Sequence, residues 1–241
     1  MENYNNILNN ARKIHFIGIG GSGMCPLAEI MQSKGFEISG SDNYESDTLK
    51  GLIGQGAEIY KNHCAENIKE ADLIVYTAAI KEDNPELLAA KEANIPCVER
   101  SVMLGILCAQ YDNLIAVSGS HGKTTTTSMI TRLLIDGKAD PTAIVGGKIH
   151  SIDSNSRIGK SQNMVCEACE YVDTFLQLYP AISVITNIDD DHLDYFGNIE
   201  NLIASFRKFA SQTSKTIFVN GDDENSMKAV ADLDVPVITF G

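Results

Sequence analysis

Short apolar runs alternate with stretches of helical spacing through the first half of this 241-residue chain. The apolar runs predict strands at 14–19, 36–41 and 73–78, with an extended segment at 96–99. Apolar residues at helical spacing predict helices at 24–34, 85–92 and 102–109. Strands separated in this way by helices predict βαβ units and a parallel sheet.

The second half repeats this alternation after a polar break at 110–113. Its apolar runs predict strands at 114–117, 142–145, 164–167, 182–187, 216–220 and 235–240. Helical spacing predicts helices at 123–136, 199–211 and 224–231, and the polar, Ser-rich stretch 148–162 predicts a long loop. We therefore expect an α/β fold in two domains. Residues 1–110 form a Rossmann-like parallel-sheet domain, and residues 111–241 form a second α/β domain, which is incomplete because its last strand has no helix after it.

The predicted strand at 114–117 leads into the turn Gly119-Ser120-His121-Gly122-Lys123-Thr124-Thr125 and then into a helix. Backbone N–H groups and the helix dipole attract phosphate oxygens at such a junction. Lys123 adds a mobile positive charge, and the Thr124 hydroxyl is suited to ligate magnesium. The usual phosphate-loop pattern has a glycine where this chain has Val117, so we interpret the turn as a shortened phosphate loop.

A second glycine-rich turn, Gly18-Ile19-Gly20-Gly21-Ser22-Gly23, follows the first predicted strand and opens the first predicted helix. Its glycines permit a tight turn and the close approach of a pyrophosphate. Asp42 ends the next strand, where a carboxylate that binds a ribose usually lies. The turn indicates a nucleotide or a dinucleotide without saying which. Two such turns in one chain indicate two nucleotides, one carrying a substrate and the other driving a reaction.

Acidic residues follow two further predicted strands. Glu167 ends the strand at 164–167, at the sheet edge where ligands of open α/β sheets bind. After the strand at 182–187 comes the run Asp189-Asp190-Asp191-His192-Leu193-Asp194. Two interpretations stay open for this run. The acids either favour the dipole of the next helix, or they ligate magnesium beside a nucleotide.

The chain has six cysteines, most of them inside apolar segments, which is typical of small buried side chains. Cys166 and Cys169 form a C-x-x-C pair. Without a second pair or nearby histidines, such a pair is a weak indication of zinc, and a redox role would need a helix N-terminus. We interpret all six as structural thiols.

The formal net charge of −13 argues against binding to nucleic acid or to an anionic membrane surface. No apolar run approaches the roughly 20 residues that span a bilayer. The polar, Asn-rich stretch 1–10 has no signal-peptide pattern. We expect a cytoplasmic protein with neither nucleic-acid nor membrane partners, and the sequence leaves the oligomeric state open.

In combination, residues 18–27, 119–127, Glu167 and 186–194 resemble the Mur ligases of peptidoglycan synthesis. The resemblance covers nearly the whole chain, and the combination of motifs is much more specific than any one of them. Within the family, the stretches most similar to members that join L-alanine to UDP-N-acetylmuramate are 17–24, 39–42 and 99–104.

The resemblance implies roles for individual residues. The UDP-sugar would be bound by Gly18, Gly20, Gly21, Ser22, Gly23, Asp42, Thr77 and Ala78. ATP would be bound by Gly119, Ser120, His121, Gly122, Lys123, Thr124 and Thr125. Magnesium would be ligated by Thr124 and Glu167 at one position and by His192 at a second, with Lys123, Glu167 and His192 as the catalytic residues.

The resemblance also implies a reaction. The lactyl carboxylate of UDP-N-acetylmuramate would attack the γ-phosphate of ATP, and the amino group of L-alanine would displace phosphate from the resulting acyl phosphate. The protein would supply positioning and charge neutralisation, without a protein nucleophile.

This sequence departs from the family pattern in several places. Ser120 stands where the family usually has Thr, and residues 167–171 read Glu-Ala-Cys-Glu-Tyr where many members read Glu-Ala-Asp-Glu-Ser. Family members also carry the rest of the central domain and a third domain, so we expect the 241 residues alone to be inactive in ligation.

Three other functions stay open. A murein peptide ligase would share both motifs and attach a ready-made peptide to UDP-N-acetylmuramate. A nicotinamide-dependent dehydrogenase would account for the first turn and Asp42. It would leave four residues without a role: Lys123, Thr124, Glu167 and His192. A non-catalytic nucleotide-binding module would bind nucleotide and turn nothing over.

Overall fold

The computed structural model describes residues 7–44, 48–149 and 154–241. The chain divides into two compact units, Met1–Ile106 and Leu107–Gly241. Within the described residues, no helix combines the length and the apolar character that crossing a membrane requires.

The first unit is a parallel sheet whose strands alternate with helices. In chain order its elements are β1 Lys13–Ile17, α1 Met24–Ser33, β2 Glu37–Asp42, α2 Leu49–Gly54, β3 Glu58–Lys61, a 3₁₀ turn Ala65–Ile68, β4 Leu73–Tyr76, α3 Pro85–Glu92, β5 Cys97–Glu99 and α4 Arg100–Cys108. The strand order is β3-β2-β1-β4-β5, and every pair is parallel. Helix α4 begins in this unit and ends in the next.

The central strand β1 is apolar on both faces because elements cover both sides of the sheet. Ile14, Phe16 and Ile17 are fully buried, as is typical of parallel strands. The chain passes from β1 to β2 on one side and later returns to β4 on the other. The ends of β1 and β4 therefore form a switch point, where open α/β sheets bind their ligands.

The second unit is a larger sheet of the same kind. In chain order its elements are β6 Asn113–Ser118, α5 Lys123–Asp136, β7 Thr142–Ile149, β8 Ser154–Arg157, β9 Asn163–Glu167, a 3₁₀ segment Tyr171–Gln177, β10 Ile182–Ile185, α6 Leu193–Phe196, α7 Ile199–Ser211, β11 Thr216–Asn220, α8 Glu224–Val230 and β12 Val237–Phe240. The strand order is β12-β11-β10-β6-β9-β7-β8, and only the β7–β8 pair is antiparallel among the described pairs. Strand β6 lies between β10 and β9, so its carboxyl end is a second switch point.

The predicted α/β fold with parallel sheets is confirmed, and several element bounds are close or identical. The predicted long loop at 148–162 is wrong, because β7 continues to residue 149 and Ser154–Arg157 forms β8; residues 150–153 lie outside the described residues. The edge strand β3 and the short helix α2 were not predicted. Strand β3 is largely polar and half exposed, and α2 buries only Leu49 and Leu52, so neither leaves a strong periodic pattern.

Three aromatic rings form the centre of one layer in the second unit. Phe175 stacks on Phe209 with ring centroids 4.8 Å apart, and it meets Phe206 edge-on at 5.2 Å. All three side chains are buried. Helix α7 thus contributes two rings of this cluster, and the 3₁₀ segment Tyr171–Gln177 contributes the third.

Replacing Phe206 with alanine should remove this packing and leave a cavity. We expect Phe206→Ala to lower the free energy of unfolding of the second unit by about 3–5 kcal/mol. Urea denaturation followed by far-UV circular dichroism measures this change. Leu133→Ala, at a side chain that is 70% exposed on α5, is the matched control, and its cost should stay within about 0.5 kcal/mol. Equal losses in the two variants would contradict the assignment of the ring cluster to the core.

Candidate functional site: two glycine turns and an acidic pocket

The turn after β1 is fastened to the end of β2. The N–H groups of Gly18 and Ile19 donate to the Ser41 carbonyl at 2.8 and 3.1 Å. The Gly20 N–H donates to Asp42 Oδ2 at 2.8 Å. These bonds hold the turn at the switch point and use one oxygen of Asp42, the predicted ribose ligand.

The glycines of this turn are required by contacts within the protein itself. A Cβ at Gly20 would lie 2.9 Å from Asp42 Oδ2. Gly18 has a φ of +81°, and a Cβ there would lie 3.0 Å from Thr77 Cγ2. A side chain at Gly20 therefore meets the Asp42 carboxylate before it meets any ligand.

The structure gathers the predicted UDP-sugar residues at one edge of the first sheet. The Gly20 N–H bonds to Asp42, and Thr77 borders the space beside Gly18. Gly21, Ser22 and Ala78 are exposed. The individual roles of these residues stay predictions.

The sequence analysis did not identify Arg100 as a site residue. A Cβ at Gly23 would lie 3.2 Å from Arg100 Nη1, so the guanidinium lies against the glycine turn. The one sequence feature that could have indicated Arg100 is that a basic residue directly follows β5. The position of Arg100 near the turn depends on the strand order, in which β4 pairs with β1 and β5 pairs with β4.

A buried polar network under the first turn was also not predicted. The Glu86 side chain is fully buried; it accepts from Ser41 Oγ at 2.5 Å and from Asn67 Nδ2 at 2.7 Å. His63 Nδ1 lies 3.0 Å and His15 Nε2 lies 3.4 Å from its oxygens. Burial by itself raises the pKa of Glu86, but these neighbours outweigh it and hold that pKa below its usual value. The network therefore keeps a buried carboxylate charged.

The predicted phosphate loop of the second unit packs against Thr186 and Asn187, directly after β10. Gly119 has a φ of +140°, and a Cβ there would lie 2.0 Å from Thr186 Oγ1. Asn187 accepts from both Ser120 N at 3.0 Å and His121 N at 2.8 Å. Thr186 Oγ1 donates back to the His121 carbonyl at 2.6 Å. Hydrogen bonds with Thr186 and Asn187, which lie outside the loop, therefore fix its conformation.

Helix α5 begins directly after this loop. Its N-cap residue Gly122 has a φ of +83°, and a Cβ there would meet no atom within 4 Å. The first N–H groups of a helix have no intrahelical acceptor, and Thr125 is exposed on this first turn. The start of α5 is thus an open, anion-attracting position.

Lys123 folds back over its own loop. Its Nζ donates to the carbonyls of Gly119 at 2.5 Å and Ser120 at 3.2 Å. It also pairs with Glu170 Oε1 at 2.9 Å. The ammonium group of Lys123 therefore lies against the carbonyls of the loop that is predicted to bind phosphates.

Thr124 and Glu167, which the resemblance implies as ligands of one magnesium ion, lie in contact, and their role as metal ligands stays a prediction. Thr124 Oγ1 lies 3.1 and 3.0 Å from the two Glu167 oxygens, and Gly146 N donates to Glu167 Oε2 at 2.7 Å. A Cβ at Gly146 would lie 2.8 Å from Glu167, and one at Gly147 would lie 3.1 Å from Thr124 Cγ2. A hydroxyl and a carboxylate in a glycine-lined space fit a magnesium ion, which prefers oxygen ligands.

The structure puts His192 in a different group of side chains. Ligand atoms of Glu170, Asp191 and His192 all lie within 4.8 Å of one another. The Tyr171 ring lies against the His192 imidazole, with ring centroids 4.7 Å apart. The sequence analysis gave Glu170 no role, because its position beside His192 depends on the neighbouring ends of β9 and β10 rather than on local pattern.

The two cysteines of the C-x-x-C pair differ in burial. Cys166 is buried in β9 and Cys169 is exposed beyond its end, and both are free thiols. Burial and the neighbouring Cys166 raise the pKa of the Cys108 thiol. The interpretation of the six cysteines as structural thiols stays a prediction.

Both units of the chain are similar in sequence to known proteins. Residues 13–112 match the model of the Mur ligase family, catalytic domain, and residues 117–241 match that of the Mur ligase middle domain. The chain is 49% identical over 232 residues to the UDP-N-acetylmuramate–L-alanine ligase of Alkaliphilus metalliredigens, covering 95% of this chain and 50% of that protein. It is 48% identical to the ligase of the same name from Clostridium tetani, with 95% and 51% coverage. The chain thus spans about half the length of these curated relatives.

Solved structures agree with this comparison. The UDP-N-acetylmuramate–alanine ligase of Thermotoga maritima superposes with a TM-score of 0.83 at 31% identity, covering 95% of this chain and 52% of that one. The UDP-N-acetylmuramate:L-alanyl-γ-D-glutamyl-meso-diaminopimelate ligase of Neisseria meningitides gives 0.87 at 26% identity, with 95% and 78% coverage. Since both units match in sequence and in fold, and the middle-domain match alone covers more than half of the residues, the chain belongs to the Mur ligase family.

Proposed function

We propose that this chain is part of an ATP-dependent ligase that joins L-alanine to the lactyl carboxylate of UDP-N-acetylmuramate through an acyl phosphate, in peptidoglycan synthesis. Residues 1–110 bind the UDP-sugar, and residues 111–241 belong to the central ATP-binding domain. The observation that carries this proposal is the convergence of Lys123, Thr124 and Glu167 around a helix N-terminus. A phosphate-transfer site of this kind has no use in a dehydrogenase.

The second unit binds and orients ATP. The backbone of 119–125 receives phosphate oxygens at the start of α5. Lys123 supplies the positive charge that stabilises the transferring phosphoryl group. A magnesium ion held by Thr124 and Glu167 neutralises further phosphate charge when it is bound.

The first unit holds the sugar nucleotide. The backbone of 18–23 faces the pyrophosphate, and Asp42 and Thr77 border the turn. Arg100, which lies against Gly23, adds a guanidinium that can pair with a phosphate oxygen. This arrangement is the reason for assigning the substrate nucleotide to this unit.

Two ligases within the family differ in the amine that they add. The identity of 49% and 48% to L-alanine ligases, against 26% to a ligase named for a peptide substrate, supports L-alanine. Parallel assays of the complete gene product with L-alanine and with L-alanyl-γ-D-glutamyl-meso-diaminopimelate separate the two. Faster turnover of the peptide would overturn the L-alanine assignment.

We place this reaction in the cytoplasm. Both nucleotide substrates belong to that compartment, and the six free thiols are usual for proteins of a reducing environment.

Gly20→Val should abolish binding of UDP-N-acetylmuramate. Its side chain meets Asp42 and fills the approach to the turn, so calorimetry of the 241-residue chain should detect no binding. Gly54→Ala, where an added Cβ meets no atom within 4 Å, is the matched control and should bind normally. Circular dichroism establishes that both variants fold. Unchanged affinity in a folded Gly20→Val protein would show that the sugar nucleotide binds elsewhere.

Gly119→Ala should damage both stability and ATP binding. The new methyl group overlaps Thr186 and the Asn187 backbone, so we expect a loss on the order of 3 kcal/mol or more in the free energy of unfolding. Calorimetry with ATP and magnesium should show no binding. Gly197→Ala also has a positive φ, but its nearest neighbour is 4.0 Å away, so it should cost about 1–2 kcal/mol and bind ATP. A Gly119→Ala protein as stable as Gly197→Ala would contradict the close packing of the loop.

Lys123→Met in the complete gene product should lower kcat on the order of 100- to 1000-fold, because an electrostatic group at the transferring phosphate is lost. Glu167→Gln should in addition raise the magnesium concentration needed for half-maximal rate. Arg132→Met, on the exposed side of the same helix, is the control and should keep full activity. The metal role of Glu167 would be wrong if magnesium restored both variants equally.

A further inference from the structure

The first glycine turn is held by the last two residues of β2. The Ser41 carbonyl accepts the N–H groups of Gly18 and Ile19, and the Asp42 side chain accepts that of Gly20. The position of residues 41–42 therefore determines the position of the turn. Any group that fixes these two residues acts on the turn as well.

Glu86 reaches the first of them through the Ser41 hydroxyl. Ser41 Oγ donates to Glu86 Oε2 at 2.5 Å, and both side chains are fully buried. A hydrogen bond to a charged acceptor away from water stabilises a structure more than a neutral one does. Because hydroxyl and carbonyl belong to the same residue, this bond also restrains the carbonyl that holds the turn.

A second route leads from Glu86 to Asp42. Glu86 Oε1 accepts from Asn67 Nδ2 at 2.7 Å, and the same nitrogen donates to the Asn62 carbonyl at 3.2 Å. The Asn62 N–H in turn donates to the Asp42 carbonyl at 3.0 Å. One carboxylate thus restrains both residues that hold the turn.

Glu86 is itself fixed by the start of α3. Asn84 caps this helix, and its Oδ1 accepts the N–H groups of Glu86 at 2.9 Å and of Leu87 at 3.3 Å. Pro85 occupies the first helical position, where its fixed φ suits the helix. A carboxylate in the first turn is also favoured by the helix dipole. The charge of Glu86 therefore has a fixed place beside the end of β2.

We propose that Glu86 is a positioning residue for the sugar-nucleotide site. Its charge holds residues 41–42, and these hold the glycine turn in the conformation that receives the pyrophosphate. The part played by the turn in binding UDP-N-acetylmuramate rests on the proposed function. The hold of Glu86 on the turn rests on its own contacts, so the two are tested separately.

The first test measures amide hydrogen exchange of the ligand-free 241-residue chain by NMR. In Glu86→Gln the side-chain amide cannot accept at both of its atoms, so the contact with either Ser41 or Asn67 loses its acceptor. We expect the N–H groups of residues 18–20 to exchange at least about tenfold faster relative to those of β1. Taking the ratio to β1 cancels the effect of global unfolding, which exposes both sets of amides.

Leu52→Ala is the control, because it removes a fully buried side chain of the same unit outside the Glu86 network. It should lower the urea midpoint of the first unit and leave the exchange ratio unchanged. Ser41→Ala keeps the test decisive if Glu86→Gln fails to fold, since Asn67 still donates to Glu86; this variant should also raise the ratio. An unchanged ratio in either folded variant, or an equal rise in Leu52→Ala, would overturn the proposal.

The second test measures the affinity for UDP-N-acetylmuramate by calorimetry. Glu86→Gln and Ser41→Ala should each raise Kd about tenfold. The double variant should bind like Glu86→Gln alone, because two partners of one hydrogen bond are not additive. The Kd for ATP, which we assign to the second unit, should change by less than about twofold. Fully additive losses in the double variant would show that Glu86 does not act through Ser41.

The outcomes separate this role from the proposed function. If the parent chain does not bind UDP-N-acetylmuramate, the proposed function fails, and the exchange ratio still decides whether Glu86 positions the turn. If the parent binds and a folded Glu86→Gln protein binds equally well, the positioning role is overturned while the proposed function stands.

Discussion

The close packing of Gly119 on Thr186 and Asn187, just after β10, holds the loop that precedes α5. The loop has no room for a Cβ at this position, and Asn187 holds its next two N–H groups. A loop fixed in this way starts α5 in a single orientation. Lys123 then lies over the loop carbonyls, and Thr124 lies against Glu167. Side chains can converge on one ligand only when their backbone is held this firmly.

The glycine turn of the first unit is also held from outside, by the Asp42 carboxylate, where the loop of the second unit is held by the Asn187 amide. Asp42 holds the glycine turn at Gly20, and the Ser41 hydroxyl beneath it belongs to the Glu86 network. Glu86 and Glu170, the two fully buried carboxylates among the described residues, differ in their hydrogen bonding. Glu86 accepts hydrogen bonds at both oxygens, as expected of a structural network. Glu170 pairs with Lys123 through Oε1, whereas its Oε2 has no hydrogen-bond partner among the residues that the structure describes.

The sequence by itself determined the class of fold and the positions of its two glycine turns. Strands covered on both faces must be apolar on both, so β1 and β6 stand out as apolar runs. Helices with strong end signals were predicted to the residue, as at Pro85–Glu92, Lys123–Asp136 and Ile199–Ser211. Glycine, lysine and threonine at a strand-to-helix junction predicted a phosphate loop at 119–125 from local sequence alone.

Only the tertiary structure decided which strand ends are adjacent. Local pattern does not encode strand order, so the contact of Arg100 with Gly23 and the grouping of Glu170 with His192 were not visible in the sequence. Edge strand β8 is polar and exists because its backbone pairs with β7. The acidic run after β10 had two interpretations, because helix caps and metal ligands use the same residue types. It is the fold that brings part of this run against a buried carboxylate, since burial and pairing depend on residues far apart in the chain.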